Sequence, residues 1–316
     1  MMNLNILQSM PSPKVSVIIP IYNTANYLRE ALDSICNQKL IELEIILIND
    51  GSTDDSQEII EEYIARDTRI QYHIQPNQGQ GVARNHGMQY ATGQYIYFMD
   101  SDDILDTTAL QECFNICESN NLDFAFFDAD VITETKTQHI PEYSRVKKLN
   151  SKIWNGIDLL TYELEQHIFR ISVCLCFVRK SFLEKFFQGF PPGVIHEDHI
   201  FAMQIHLNAQ RVFYIPKPFF KRRVRPNSTM TNRFNMRNIE GYTTVCNIVS
   251  NMTLQDPKWD SIIKVYLKQT LNAVIWAGHE MTFLEKIEAA CRFRRLKLSK
   301  YITFRNWIVF WMKNKY

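Results

Sequence analysis

The chain has 316 residues, 46% hydrophobic and 22% charged, with a formal net charge of +1. This composition excludes intrinsic disorder and gives no overall attraction to nucleic acid. It leaves room for one large domain or for a domain with an extension. Seven cysteines show neither a CxxC pair nor a zinc-like Cys/His spacing, so buried, reduced thiols are expected. Cys174 and Cys176, two apart, would share one face of a strand. The opening "MMNLNILQSMPSPK" lacks a charged stretch followed by an apolar one, and no run of about 18 apolar residues occurs. The expectation is a cytoplasmic protein with no secretory signal and no spanning helix.

In chain order, "KVSVIIPIYN" (14–23) is a β-branched run that reads as a buried strand. Leu28, Ala31, Leu32 and Ile35 follow at i, i+3, i+4, i+7, the stripe of an amphipathic helix. A second strand (43–48) ends in Asn49, Asp50, Gly51 and Ser52 and leads to a helix carrying Ile59, Ile60, Tyr63 and Ile64. A third unit has a strand at 70–74, then "QPNQGQGVARNHG", then the strand "YIYFM". Successive strand-to-helix units predict a parallel sheet with helices on its faces. A strand through "LDFAFFDAD" (122–130) comes next, and residues 131–150 read as a polar loop over a site. A helix over 157–169, a strand "SVCLCFV" and a helix entered through "HEDHIFAMQIHL" follow, and the chain becomes mainly helical from Phe234. Residues 291–316 hold eight Lys or Arg and no acid, interleaved with aromatics. Such a tail suits an anionic membrane surface, or a helix packing its aromatics on the domain itself.

Polar clusters fall at three strand ends: Pro20 to Asn23, Asn49 to Ser52, and Asp100 to Asp103. In open parallel sheets these ends share one crevice. No G-x-G-x-x-G follows the first strand and no GK[ST] occurs, which disfavours a Rossmann dehydrogenase or an ATPase. Gly79 and Gly81 open a helix and would permit close backbone approach of a ligand. Three carboxylates at the end of a core strand suit Mg²⁺ or Mn²⁺ bridging a diphosphate, although an Asp-rich turn also caps helices.

Taken together, "VSVIIPIYN", "EIILINDGSTDDS", "NQGQGVARNHG" and "YIYFMDSDD" resemble, in order and spacing, the nucleotide-binding half of the family 2 glycosyltransferases with the GT-A fold, over roughly 15–106. The fold this implies is α/β, a Rossmann-like, mostly parallel sheet flanked by helices. The resemblance puts the donor half at 14–106 and the acceptor half at 107–225 of a GT-A domain spanning 1–225, with a helical extension at 226–316. It implies that Pro20, Tyr22, Asn23, Asp50, Gly51 and Ser52 hold the base and ribose of a nucleotide sugar, with Arg84 and Asn85 near the base or phosphates. A carboxylate at position 50 can accept the imide N–H of uracil. Asp100 would face the ribose and Asp102 would take the metal, with Asp103 as the alternative ligand.

"GVIHEDHIF" resembles the family's Glu-Asp segment, which makes Asp198 the expected base and gives Glu197 a role in positioning the acceptor or a loop. The plain alternative is an acidic cap that complements a helix dipole. "FFKRRVRPNSTMT" (219–231) resembles a segment that closes over the diphosphate. Arg225 stands where many relatives carry histidine, and an arginine cannot ligate a metal. Arg223 or Arg225, with Ser228, would therefore bind the leaving phosphate directly. The implied reaction is inverting transfer from a UDP-sugar to a glycan or lipid-linked glycan, with Mn²⁺ or Mg²⁺ as cofactor and no nucleic acid partner. A non-catalytic sugar-nucleotide scaffold would need no base. A sugar nucleotidyltransferase would need a glycine-rich basic loop where this chain has "PIYNTANY".

Overall fold

The computed structural model describes residues 12–133, 142–225, 233–252 and 258–312. The first unit runs through β1 (Val15–Ile21), α1 (Ala25–Cys36), β2 (Leu43–Asn49), α2 (Ser56–Ile64), β3 (Ile70–Ile74), α3 (Gln80–Met88) and β4 (Tyr95–Phe98). β1 pairs in parallel with β2 and β4, and β2 with β3. β1 and β2 are buried along their whole lengths, so both read as largely apolar runs without alternation, and the polar Ser16 and Glu44 within them bond each other at 2.6 Å. α1 buries Leu28, Ala31, Leu32 and Ile35, the stripe its spacing predicts. Each leucine or isoleucine there contributes about 1.5–3 kcal/mol, and Leu32→Ala would cost about 2–5 kcal/mol.

Beyond β4 the sheet becomes mixed. The chain continues through β5 (Ile104–Leu105), α4 (Ala109–Asn120), β6 (Phe124–Thr133), β7 (Ile153–Trp154), α5 (Gly156–Glu165), β8 (Cys176–Arg179), α6 (Lys180–Phe186), α7 (Asp198–Asn208) and β9 (Val212–Val224). The strand order is β3-β2-β1-β4-β8-β6-β9-β5, with β7 also on β9. β8 lies antiparallel between β4 and β6, while β6 and β9 are parallel. Their register breaks between Phe127 and Ala129, opposite Pro216 and Pro218, which have no N–H to give the ladder.

Two expectations are corrected here. The predicted strand "SVCLCFV" begins with a 3₁₀ turn at Val173–Leu175, so Cys174 and Cys176 do not share a strand face. The helix expected over 157–169 ends at Glu165. Part of the polar loop expected over 131–150, residues 134–141, lies outside the described residues.

The helical remainder comprises α8 (Met236–Ser250), α9 (Trp259–Ala277), α10 (Phe283–Arg295) and α11 (Phe304–Met312). It has its own core, to which α5 contributes Leu160 and Leu164 and α7 contributes Ile200, Met203 and Leu207. From the opposite side of α7, Phe201 and Ile205 enter the core of the sheet. α7 is therefore apolar nearly all round, as a helix held between two cores must be. Among the described residues no helix is long and apolar enough to cross a membrane.

Candidate active site

The strand ends meet as expected, through direct hydrogen bonds. The Asn23 amide donates to Ser52 Oγ (3.1 Å), and Thr24 Oγ1 donates to Ser101 Oγ (2.9 Å). Asn23 Oδ1 accepts the Thr53 amide at 2.8 Å, and Asn23 itself sits in the left-handed region (φ 51). Tyr22 is exposed beside it, while Pro20 is buried in β1. Gly51 has φ +74 and lies so close to Asn77 that a Cβ would meet its amide at 2.9 Å; no L side chain fits there without strain.

Asp50 is buried and accepts from Gln75 Nε2 (2.7 Å), the Gln78 amide (2.9 Å) and the Gly79 amide (2.8 Å). It thus fixes the loop that leads into α3, and the Gly79 amide expected to meet a ligand is engaged with Asp50. A carboxylate has about four acceptor positions, so these three bonds leave capacity for one more donor.

Three residues of α3 depart from expectation. Gly81 is a contact point between elements: a Cβ there would meet Phe190 Cβ at 3.0 Å and Glu197 Cγ at 3.3 Å. Asn85 spends both ends of its amide on the Phe190 backbone, donating at 2.7 Å and accepting at 2.8 Å. Arg84, expected near the base or phosphates, is wholly buried beneath the crevice. It donates to Asp100 Oδ1 (2.7 Å), Glu197 Oε1 (2.9 Å) and Asp198 Oδ1 (3.3 Å). The reason is helical spacing: positions 81 and 84 share the face of α3 that packs toward the start of α7. Arg84 therefore reaches a donor only through the carboxylates it holds.

Those carboxylates form the floor of the site. Burial opposes ionisation of Asp100, but Arg84 and then Arg222 outweigh it and hold its pKa below the ordinary value. Burial raises the pKa of Asp198 more than Arg84 lowers it, and the charge of Asp100 adds to the rise. Glu197 is raised by burial and by Asp198; Gln80 Nε2 donates to it at 2.9 Å. Glu197 is only 2% exposed, against 21% for the Asp198 side chain. Asp198 is the more accessible of the two carboxylates, and Glu197 ties α3 to α7 from below.

Asp102 is raised by burial and by Asp100, against the pull of Arg225, whose Nε donates to its Oδ2 at 2.6 Å. Asp103 is turned away: buried, it accepts the Arg223 amide of β9 at 2.7 Å, and burial drives its pKa well above the usual range. A role for Asp103 as alternative metal ligand does not fit that geometry. Among the described residues no group of three or more His, Cys, Asp or Glu is arranged to hold a metal ion. The donor set at Asp100 and Asp102 still suits a hard divalent cation, because clustered, partly buried carboxylate oxygens lower their mutual repulsion by binding one. Further ligands would have to be diphosphate oxygens or water.

Arg223 donates through Nε to the Asp102 carbonyl (3.0 Å) and pairs with Glu30; Arg223 and Arg225 both lie over the Tyr27 ring. Ser228 lies outside the described residues. Sequence reasoning missed Tyr27, Gln80 and Arg222. Arg222 alternates with its neighbours on β9, lies over the Tyr143 ring and acts electrostatically on Asp100 and Asp198. Strand alternation within "KRRVR" was the signal that could have separated Arg222 from Arg223 and Arg225.

The start of α7 is clasped by the helical remainder. His196 adopts φ 66 and stacks on Tyr242 of α8 (3.9 Å between centroids, 16°). His199 Nδ1 meets the Tyr266 hydroxyl of α9 at 2.6 Å. A Cβ on Gly241 would come within 2.6 Å of Ile195 Cγ1 and 2.7 Å of its carbonyl, so only glycine lets α8 approach. His199, Tyr242, Tyr266, Phe169 and Phe234 also line a cavity of about 450 Å³.

Comparison with known proteins gives the same picture. Glycosyltransferase GlyA of Streptococcus pneumoniae serotype 4 is 30% identical over 220 residues, 68% of this chain and 31% of that protein. The chain spans less than two thirds of the length of this and the next curated relatives it matches. The crystal structure of S. aureus TarS in complex with UDP-GlcNAc superposes with a TM-score of 0.68 at 20% identity, over 91% of this chain and 89% of that one. Mannosyltransferase PcManGT from Pyrobaculum calidifontis, in complex with GDP-Man and Mn²⁺, gives 0.58 at 16% identity, over 95% and 84%. These likenesses establish the GT-A fold. The sequence pattern described as "Glycosyl transferase family 2" matches residues 16–187, more than half of the chain. The chain belongs to glycosyl transferase family 2.

Proposed function

We propose that this protein moves a sugar from a nucleoside diphosphate donor, UDP-linked, to a hydroxyl of a glycan or lipid-linked glycan, with inversion, in bacterial surface polysaccharide synthesis at the cytoplasmic face of a membrane. The observation that carries this reading is Arg84, one buried cation that joins Asp100 on the donor side to Glu197 and Asp198 on the other. Asp198, its pKa raised by burial from the ordinary aspartate value yet its side chain reachable, is suited to take the acceptor's proton. As that proton leaves, the acceptor oxygen bonds to the anomeric carbon. The bond from that carbon to the diphosphate oxygen breaks on the opposite face. One base on one face gives inversion.

Asp102, with Asp100 beside it, would hold Mg²⁺ or Mn²⁺, which offsets diphosphate charge when bound. Asp50 has capacity for one donor from the base, and Tyr22 is exposed for contact with it. Arg225, already beside Asp102, is placed to meet a phosphate there. The aromatic walls contributed by Phe169, Phe234 and Tyr242 suit the apolar faces of acceptor sugar rings. The UDP-GlcNAc complex of TarS supports the choice of uridine.

The test is binding and hydrolysis of a panel of nucleotide sugars with Mn²⁺, Mg²⁺ or chelator. One donor should be preferred, with chelator and Asp102→Ala each removing turnover. Asp198→Asn should keep donor binding and reduce turnover by about 10²–10⁴-fold. A folded protein that binds no nucleotide sugar would refute the assignment.

A further inference from the structure

α10 and α11 each bury one stripe and leave a second apolar stripe bare. In α10, Lys286, Ala289 and Phe293 face inward, while Phe283, Leu284 and Ile287 lie outside, the first two 68% and 77% exposed. In α11, Phe310 is fully buried and anchors the helix against Gly278. Phe304, Ile308, Trp311 and Met312 stand exposed at i, i+4, i+7, i+8, one continuous face, with Phe304 81% exposed. The two stripes join, because the Phe283 and Trp311 rings meet edge to face at 6.2 Å. A helix of nine residues with seven large apolar side chains around it has more apolar surface than its packing consumes.

From residue 289 to 312 the charges have one sign. Arg294, Arg295, Lys297, Lys300 and Arg305 are all exposed, and no acid occurs between 289 and 312. Before that stretch stand Glu280, Glu285, engaged in the cap with Thr282, and exposed Glu288.

We propose that α10 and α11 form a docking surface for an anionic lipid bilayer, the helices lying in the interface with Phe283, Leu284, Phe304, Ile308 and Trp311 toward the acyl chains. Charge complementarity selects this occupant. A second copy of the chain meeting through the same face would set five exposed cations against five others, with Glu288 the one exposed acid of α10 on each side. An anionic headgroup layer instead receives the cations while its acyl boundary receives the apolar stripe. At nine residues α11 is about 14 Å long, too short to span and suited to lying flat.

The experiment is sedimentation of the full chain with vesicles of phosphatidylcholine mixed with phosphatidylglycerol, and with phosphatidylcholine alone. Partition onto the anionic vesicles should be at least about tenfold stronger and fall with added salt. Leu284→Asp with Phe304→Asp should remove that binding, and Arg294→Gln with Arg295→Gln and Lys297→Gln should weaken it about tenfold or more. Both variants should keep the wild-type Tm and nucleotide-sugar hydrolysis in solution, which separates this result from any failure of the transferase reading. Equal partition onto both vesicle types, or binding that survives both variants, would overturn the proposal. So would a dimer in sedimentation velocity that the aspartate variant dissociates, since the face would then belong to self-association.

Discussion

Two buried arginines, Arg84 and Arg145, each gather carboxylates, and they do so to different ends. Arg145 holds Asp128 (3.2 Å) and Glu163 (3.0 Å), donates to the Arg170 carbonyl, and lies over the Phe126 ring; its amide also meets Asp128. Tyr214 completes Asp128 at 2.6 Å, and both acids are at most 2% exposed. Arg84 faces three acids, and two of its carboxylates remain about a fifth exposed; among the described residues its Nε and, in the other network, Glu163 Oε2 both lack a hydrogen-bond partner. Both networks have carboxylate in excess over their arginine, and they differ in access: the acids of Arg145 are sealed from solvent, as suits scaffold, whereas Asp100 and Asp198 stay open to cations and protons.

The sharpest way to break this comparison is to remove each arginine in turn. Arg84→Met should abolish transfer and also cost about 3–5 kcal/mol of stability, because buried Glu197 and two partly buried aspartates lose their cation. Arg145→Met should cost a similar amount in chemical denaturation, yet leave turnover within about twofold when assayed well below its Tm. Equal loss of activity in both would show that the two networks are not functionally distinct.

A smaller effect should come from the clasp. Gly241→Ala places a methyl group against Ile195 and its carbonyl, and is expected to cost about 1–3 kcal/mol. It should lower kcat for transfer while donor KM stays near wild type, since the turn it displaces carries Asp198 and not the nucleotide contacts. Steady-state kinetics with the preferred donor would decide this.

The smallest effect is with pH. Burial pushes His196 down to about 4 and His199 to about 3, each from an ordinary 6.5. In the unfolded chain both take a proton near 6.5, whereas the folded protein refuses it. Their contribution to stability is therefore complete above about 6.5 and is lost as pH falls toward 4. The Tm should drop by several degrees over that window, and less so in a His196→Asn variant. If Asp198 is the base proposed above, turnover should fall on the acid side at a pH above the ordinary aspartate value, because its proton leaves from a raised pKa.

Much of this was legible because it is written in continuous runs. The strands of 15–21 and 43–49 are largely apolar segments, interrupted only by Ser16, Glu44 and the closing Asn49, and the polar clusters after them read as loop or ligand. The inward turn of Arg84 and Asn85 was not legible, because "QGVARNHG" carries polar residues on every face of α3 and has no stripe to orient it. Arg145 was hidden for a related reason. It lies in a stretch of charged residues that reads as surface, and its burial depends on partners 17 and 18 positions away in each direction. Pairing of that kind leaves no periodic mark. Asp103 differs from Asp102 only in which way a turn points it, and that is decided by β9, some 120 residues later.

The position of α7 bears on how such enzymes can be recombined. A chimera cut at residue 225, where the sheet ends, would sever no strand, yet it would separate a helix from half of the core that holds it. The natural seam for exchanging the C-terminal helices lies instead along the Ile195–Gly241 contact. A graft there succeeds only if the incoming helix also presents a position without a Cβ, which is a stricter condition of compatibility than matching lengths or hydrophobicity.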